Sequence, residues 1–336
     1  VLHGHMPYMK KAGMWPFGME NLFEAIYETY IPMLNVLRGL KQEKVKTAIT
    51  INITPILAEQ LADEFLKKKF EEYMNNLIHR AEMDINRYHE GSQKYHLAVF
   101  YKDLFEAILS SYYNKFYRDL LGSFKWLQDE GMIEIITSAA THGFLPLFEY
   151  NSGIFSQIQT GVDTYKKYFN KDPKGFWLPE CAYRPKEVKR GKIMECIDYW
   201  LHNSGIEYFF VDSHGILNAE ILEKNNEIGL KTNFGYNLET GITTFGRNVK
   251  TSRQVWDSKI GYPGNGNYRE FHKKDSNTGL QYWRITDKKS SKEEKELYNV
   301  DNAQNTLRTH AIDFISLVES EIMEFYDYSL ETKMLR

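Results

Sequence analysis

Short apolar runs alternate along this chain with segments long enough to form helices. Parallel strands are joined by crossovers of a dozen or more residues, usually helical, so this alternation predicts an α/β fold with parallel strands. Five runs have the composition of buried parallel strands: residues 1–2, 47–51, 133–137, 175–178 and 208–211. With 336 residues, of which 42% are hydrophobic, the chain is long enough to bury a sizeable core around such a sheet.

Titratable side chains follow four of the five predicted strands. In chain order they are His3 and His5, then His142, then Glu180, then Asp212 and His214. The carboxyl ends of parallel strands carry the active site both in closed barrels and in open doubly wound sheets. No predicted strand leads into a Gly-x-Gly-x-x-Gly turn, which disfavours a dinucleotide fold. The pattern therefore predicts a site at the strand ends and leaves the choice between barrel and open sheet undecided.

The region after the second predicted strand differs from a simple crossover. Apolar residues recur near helical spacing from about residue 59 to residue 128, with Lys and Glu between them. This is too much helix for one connection, so we predict a helical insertion at 59–128. Residues 215–300 show little periodicity, and we expect a loop excursion there.

Composition excludes several classes of protein. The formal net charge is −3 and no basic stripe occurs, so we expect no nucleic-acid partner. No run of about 20 apolar residues is present, so we expect no membrane span. The two cysteines, Cys181 and Cys196, are too few for a disulfide scaffold and fit a reducing compartment, which predicts a cytoplasmic protein.

His3 and His5 lie on one side of a strand end, because alternate residues of a strand share a face. A metal site is one interpretation, in which Asp212 and His214 complete the three or four ligands that a metal normally needs. Histidines that form hydrogen bonds within the rim, or that bind substrate, are the alternatives.

Glu180 directly follows a buried strand and Pro179, which predicts a rigidly held carboxylate at the rim. Retaining glycoside hydrolysis needs two carboxyl groups about 5–5.5 Å apart, one as nucleophile and one as acid and base. Glu180 is a candidate nucleophile, and Asp212 at the next strand end is a candidate partner. A structural salt bridge between Glu180 and Arg184 is the competing interpretation.

Several motifs together resemble glycoside hydrolase family 57, and in particular its branching enzymes. They are HGHMPY at 3–8, GMWPFG at 13–18, ATHGF at 140–144, FWLPE at 176–180, GYPG at 261–264 and YREF at 268–271. The likeness spans nearly the whole chain. The resemblance implies a (β/α)7 barrel formed by residues 1–58 and 129–336, incomplete at its C-terminal end, with the helical insertion at 59–128 and the loop excursion at about 215–300.

The resemblance also implies a function. Family members cut an α-1,4 glucan such as amylose or glycogen with retention, and branching enzymes pass the piece to a 6-hydroxyl, without a metal or another cofactor. By motif match Glu180 is the nucleophile, and the donor sugar site is lined by His3, His5, Trp15, His142 and Trp256. Tyr236, or failing that Phe234, is the candidate for the family's aromatic residue that favours branching over hydrolysis.

The chain departs from the family pattern in three respects. The family's acid/base Asp has no match before Arg336, so we expect it beyond this chain and expect the chain alone to be nearly inactive. Many relatives carry Trp where this chain has Asn21, and Tyr236 does not fall cleanly on the family position.

Three alternatives to a branching enzyme follow from the same residues. The first is an α-amylase or 4-α-glucanotransferase of the same family. The second is a metal-dependent carbohydrate deacetylase, which also uses a seven-stranded barrel with His and Asp at its strand ends. The third is a glucan-binding remnant without catalytic activity.

Overall fold

The computed structural model describes residues 1–219 and 231–331. They divide into two compact units. The first contains Val1–Asn75, Phe105–Ala219 and Phe234–Gly246, and the second contains the other described residues. The sequence predicted a different division, with a barrel of residues 1–58 and 129–336 and a helical insertion at 59–128. That division stays a prediction.

The first unit is built on one sheet of seven strands. Its strands are β1 (Leu2–Gly4), β2 (Ile49–Ile53), β3 (Ile133–Ser138), β4 (Gly175–Trp177), β7 (Tyr208–Val211), β8 (Gly235–Asn237) and β9 (Thr243–Gly246); a separate hairpin is formed by β5 (Glu187–Lys189) and β6 (Lys192–Met194). The order in the sheet is β1-β2-β3-β4-β7-β9-β8. All neighbouring pairs are parallel except β8 with β9. The predicted α/β fold with parallel strands is confirmed, and all five predicted strands lie in this sheet.

The sequence did not reveal β8 and β9, which lie inside the region expected to be a loop excursion. The β9 segment reads Thr-Thr-Phe-Gly and has no apolar run, although it pairs in parallel with β7 along four residues. Its threonines suit a strand because they are β-branched, but its polarity hides it from a search for apolar runs. The register with β7, rather than local composition, therefore defines this strand.

Helices fill most of the crossovers. They are α1 (Met19–Ala25), α2 (Ile31–Gln42), α3 (Pro55–Ala62), α4 (Glu64–Arg87), α5 (Gln93–Ser110), α6 (Leu120–Asp129), α7 (Asn151–Phe169), α8 (Ile197–Asn203), α9 (Ser213–Leu217), α10 (Val249–Trp256) and α11 (Val300–Glu331), with π-helical turns at Ile26–Tyr30 and Ser111–Lys115. The run α3 to α6 lies between β2 and β3, where the sequence predicted helix. Among the described helices, none combines the length and the apolar character needed to cross a membrane.

Helix α7 packs directly against the end of β3. Its buried face carries Ile154, Ile158 and Val162 at helical spacing. A Cβ atom on Gly161 would lie 2.1 Å from the backbone oxygen of Ser138, so only glycine allows the helix to approach this closely. The Thr137 hydroxyl donates to the Gly161 carbonyl at 2.9 Å and closes the same contact. The backbone at the end of β3 is therefore held firmly in place.

A buried glutamine fixes the loop that leaves β1. Gln60, on α3, is 3% exposed. Its Nε2 donates to the Pro7 carbonyl at 2.9 Å, and its Oε1 accepts from the Met9 amide at 2.6 Å. The side chain thus satisfies backbone groups that have no strand partner, and it anchors the loop between His5 and α1.

The second unit contains a buried polar network around Asp84 of α4, whose side chain is fully buried. One carboxylate oxygen accepts from the Thr278 hydroxyl at 2.5 Å and from the Tyr282 hydroxyl at 2.7 Å. The other lies 2.6 Å from the guanidinium of Arg87, which also pairs with Asp275 at 2.8 Å. These contacts join residues almost 200 positions apart in the chain and tie the segment 275–282 to α4.

Candidate active site

Three histidines and a tryptophan come together at the ends of β1, β3 and β4. The His3 ring stacks on Trp177 with centroids 4.6 Å apart and an interplanar angle of 14°. His142 lies 5.0 Å from His3 and 4.0 Å from His5, again in stacked geometry. We call these four residues the histidine cluster. Residues far apart in the sequence thus meet at the strand ends, where the sequence predicted a site.

Each histidine forms a hydrogen bond through Nδ1 to a buried polar side chain behind it. His3 pairs with Asn52 Oδ1 at 2.7 Å, His5 with Thr54 Oγ1 at 3.2 Å, and His142 with Ser138 Oγ at 3.1 Å. All three partners lie at the ends of β2 and β3 and are fully buried. The rings are therefore supported from the sheet side, while no residue of 1–219 or 231–331 forms a hydrogen bond with their Nε2 atoms.

Burial makes these imidazoles weak bases. Desolvation lowers the pKa of His3 to about 4 against the opposing effect of its hydrogen bond to Asn52 Oδ1, although His3 is exposed as a whole residue. Desolvation lowers the pKa of His142 to about 3, helped by the neighbouring His5 and His3. The pKa of His5 is also lowered by desolvation, against the opposing charge of Glu180. At neutral pH the cluster is therefore uncharged and offers hydrogen bonds rather than positive charge.

Glu180 has a strained backbone. It follows β4 in a short 3-10 turn, Pro179–Cys181, with φ 57° and ψ 22°. Cys181 and His142 also have positive φ, at 51° and 57°. Left-handed conformations are unfavourable for residues with a side chain, at about 1–3 kcal/mol each, and they concentrate at functional sites. Two of the three residues were predicted from the sequence as site residues.

The expected competitor of a catalytic Glu180 was a salt bridge to Arg184. Arg184 is buried, donates to the Glu195 carbonyl at 3.0 Å, and has Glu187 at 3.8 Å as its charged neighbour. Glu180 is exposed and forms no ion pair with any of the residues described. The carboxylate is thus held by its backbone and not by a salt bridge, which leaves it available to a ligand.

Asp212, the second carboxylate considered from the sequence, caps a helix. Its Oδ1 accepts from the Ser213 amide at 2.6 Å, at the first residue of α9. Its own amide donates to the Cys181 carbonyl at 3.2 Å, so it lies next to the Glu180 turn in the sheet. His214 Nδ1 is 3.8 Å from Asp212 Oδ2. Within the described part of the chain, no three or more His, Cys, Asp or Glu side chains are arranged to hold a metal ion.

The other predicted sugar-binding residues lie outside the histidine cluster. Trp15 is 74% exposed and makes no ring contact with the described residues. Tyr236 is half-buried in β8, opposite Thr244 of β9, with its ring near Phe234. Trp256 ends α10 in the second unit and is 63% exposed. The cluster thus contains three of the six predicted sugar-binding residues, and the roles of all six stay predictions.

Sequence reasoning missed the residues behind the cluster. Asn52, Thr54 and Ser138 were not considered as site residues, and Trp177 was noted only as part of a motif. A signal for Asn52 was available, because an amide in an otherwise apolar buried strand must find hydrogen-bond partners. Nothing in the sequence shows that its partner is His3, 49 positions away.

Comparison with known proteins gives a consistent family match. The family model described as Glycosyl hydrolase family 57 matches residues 1–324. A 1,4-alpha-glucan branching enzyme of Thermococcus kodakarensis is 43% identical over 341 residues, which cover 96% of this chain and 49% of that protein. The chain therefore spans about half the length of this curated relative.

Solved structures agree with this match. The crystal structure of the Thermococcus branching enzyme superposes with a TM-score of 0.88 at 42% identity, over 97% of this chain and 60% of that one. A branching enzyme from Pyrococcus horikoshii gives 0.85 at 42% identity, over 97% and 59%. The alpha-amylase AmyC from Thermotoga maritima gives 0.83 at 33% identity, over 97% and 63%.

Proposed function

Since the chain belongs to glycosyl hydrolase family 57, we propose that its activity is that of a 1,4-α-glucan branching enzyme. The observation that carries this proposal is the strained, unpaired Glu180 at the end of β4, in a chain 43% identical to a branching enzyme. The substrate is an α-1,4 glucan of the amylose or glycogen type. The two cysteines, neither of which forms a disulfide within the described residues, support a cytoplasmic location.

In the proposed reaction, Glu180 attacks the anomeric carbon of a glucan bound across the strand ends. The glycosidic bond breaks as a carboxylic acid protonates the leaving oxygen, and the non-reducing segment stays on Glu180 as a glycosyl ester. The 6-hydroxyl of an acceptor chain then attacks the same carbon, loses its proton to the same group, and releases Glu180. We do not assign the acid to Asp212, because its carboxylate caps α9.

The histidine cluster has the chemistry of a sugar site. Neutral imidazoles exchange hydrogen bonds with hydroxyl groups without placing a positive charge beside the oxocarbenium-like transition state, which a protonated ring would destabilise. Trp177 supplies a flat apolar face within the cluster. We assign His3, His5 and His142 to the donor sugar, together with Trp15 and Trp256, which the family motifs imply for the same sugar.

We also propose the finer architecture that the family implies. The six parallel strands would belong to a (β/α)7 barrel, with α3 to α6 as a helical insertion after β2. The parallel order with helical crossovers supports this, as does the likeness to the Thermococcus enzyme. An experimental structure of the intact protein in which β1 stays an open sheet edge would contradict the barrel.

We expect the intact protein to introduce α-1,6 linkages into amylose. The measurement is the anomeric proton signal of α-1,6 bonds in NMR spectra, together with the short chains that a debranching enzyme releases from the product. The likeness to the Thermotoga amylase makes hydrolysis the second candidate. Reducing ends that increase with no new α-1,6 signal would replace the branching assignment with an amylase.

Tyr236→Ala should lower the ratio of branching to hydrolysis, because an aromatic side chain over the glycosyl ester excludes water and leaves the acceptor hydroxyl as the main nucleophile. The ratio is measured as α-1,6 bonds formed per reducing end released. Tyr236→Phe keeps the ring and serves as the control. Equal ratios in the Ala variant and the unchanged protein would remove Tyr236 from the reaction.

A further inference from the structure

The residue behind His3 has only one possible orientation. Asn52 is 0% exposed, and its Nδ2 lies 2.9 Å from the Thr137 carbonyl and 3.2 Å from the Ile136 carbonyl. Carbonyl oxygens only accept, so both hydrogens of the amide group point at β3. The Oδ1 atom must then face His3, and because this oxygen only accepts, the proton of the bond belongs to His3 Nδ1.

The same reasoning fixes His142. The Ser138 hydroxyl has one hydrogen, and Ser138 Oγ lies 2.7 Å from the Trp177 carbonyl, which only accepts. The Ser138 hydroxyl therefore donates its hydrogen to the Trp177 carbonyl. Towards His142, at 3.1 Å, the Ser138 oxygen must accept, so His142 Nδ1 carries the proton.

His5 is supported differently. The Thr54 hydroxyl forms no other hydrogen bond with the described residues, so it is free either to donate to His5 Nδ1 or to accept from it. Glu180 is also close enough for its charge to act on His5. Of the three rings, His5 is the one whose tautomer the sheet does not dictate.

We propose that Asn52 and Ser138 are positioning residues that hold His3 and His142 as Nδ1–H tautomers, so that both Nε2 atoms accept hydrogen bonds from glucan hydroxyls. This rests on the proposed function only for the identity of the ligand. A neutral imidazole protonated at Nδ1 has a lone pair at Nε2 and no hydrogen there. Each hydroxyl that meets these two rings must therefore donate, which restricts how a sugar can lie in the site.

Asn52 and Ser138 are themselves held firmly enough to orient His3 and His142. Asn52 is in register with Ile136, so its amide bonds reinforce the pairing of β2 with β3. Ser138 is held by the close approach of Gly161, as described above. A side chain that is locked by packing and hydrogen bonds can define the orientation of the group in front of it.

The substitution Ser138→Ala tests the proposal, because it removes only the hydroxyl group that supports His142. In the intact protein labelled with 15N-histidine, the nitrogen shifts of His142 report the tautomer directly, without turnover. We expect a pyrrole-type Nδ1 and a pyridine-type Nε2 signal before substitution, and a mixture of tautomers after it. The kcat on amylose should fall roughly 10- to 100-fold, the range typical for loss of the hydrogen-bond partner behind a metal-binding histidine. Ser138→Thr, which keeps the hydroxyl, should restore both readouts.

Ser204→Ala is the matched control, because Ser204 Oγ is a buried hydroxyl of the same unit with no hydrogen-bond partner among the described residues. It should change neither the His142 shifts nor kcat. An unchanged His142 tautomer in Ser138→Ala would overturn the proposal, even if stability falls. Because the shifts are measured without substrate, this outcome is distinct from failure of the branching activity itself. Asn52→Ala applies the same test to His3, and the Ser138 result stands if that variant does not fold.

Discussion

Glu180→Gln is expected to abolish glucan turnover, with a loss of roughly 10⁴-fold or more, while the protein stays folded. An amide of the same shape is a far weaker nucleophile than a carboxylate and cannot form the glycosyl ester on which retention depends. The stability should change little, because the side chain is exposed and forms no ion pair with the described residues. The rate is measured as loss of iodine staining of amylose, and the fold by circular dichroism.

The control for this experiment is Glu187→Gln. Glu187 lies on β5 in the same unit, is exposed, and has Arg184 at 3.8 Å as its nearest charged neighbour. It should keep its activity, since the Glu187 side chain is exposed and its 3.8 Å separation from the Arg184 guanidinium is too long for a hydrogen bond. If Glu180→Gln retained near-normal turnover, the nucleophile would have to be another carboxylate, and the assignment by motif would be wrong.

The sequence was sufficient for the parts of the fold that have a local signal. The five apolar runs became strands of the parallel sheet, because strands of parallel sheets, which helices cover on both faces, are rich in apolar residues. The search for apolar runs missed β9, where threonines stand in place of apolar residues. This strand is defined by its parallel pairing with β7. The strand ends predicted which candidate residues come together, since parallel strands bring their carboxyl ends to one edge.

The site was predictable only at the level of single residues. Three histidines and Glu180 were predicted, yet the buried partners of His3 and His5 lie 49 positions away. Ser138, which supports His142, is itself bonded to Trp177, 39 positions away. The positive φ of Glu180 is equally invisible, because nothing in Leu-Pro-Glu-Cys requires a left-handed residue. Tertiary structure imposes that strain, and a sequence pattern records only that a glutamate follows a strand.

The second unit offers a prediction about stability that is independent of function. Asp84 is a charge at a fully buried position, compensated by the guanidinium of Arg87 and by the hydroxyls of Thr278 and Tyr282. A buried ion pair is not by itself stabilising, because desolvation offsets much of the attraction. Removal of one partner is costly all the same, because the remaining polar groups stay buried and lose their bonds.

Asp84→Ala is therefore expected to lower the free energy of unfolding by about 3–5 kcal/mol. Tyr282→Phe removes a single neutral donor from the same carboxylate and should cost only about 1–2 kcal/mol. Asp103→Ala, at an exposed position on α5 of the same unit, is the matched control and should stay within about 0.5 kcal/mol of the unchanged protein. The measurement is urea denaturation followed by circular dichroism, with hydrogen exchange of the α4 amides to locate the loss in this unit. A cost below about 1 kcal/mol for Asp84→Ala would mean that water or rearranged side chains replace the carboxylate, and the segment 275–282 would then be held to α4 by packing and by contacts such as the Arg87–Asp275 pair.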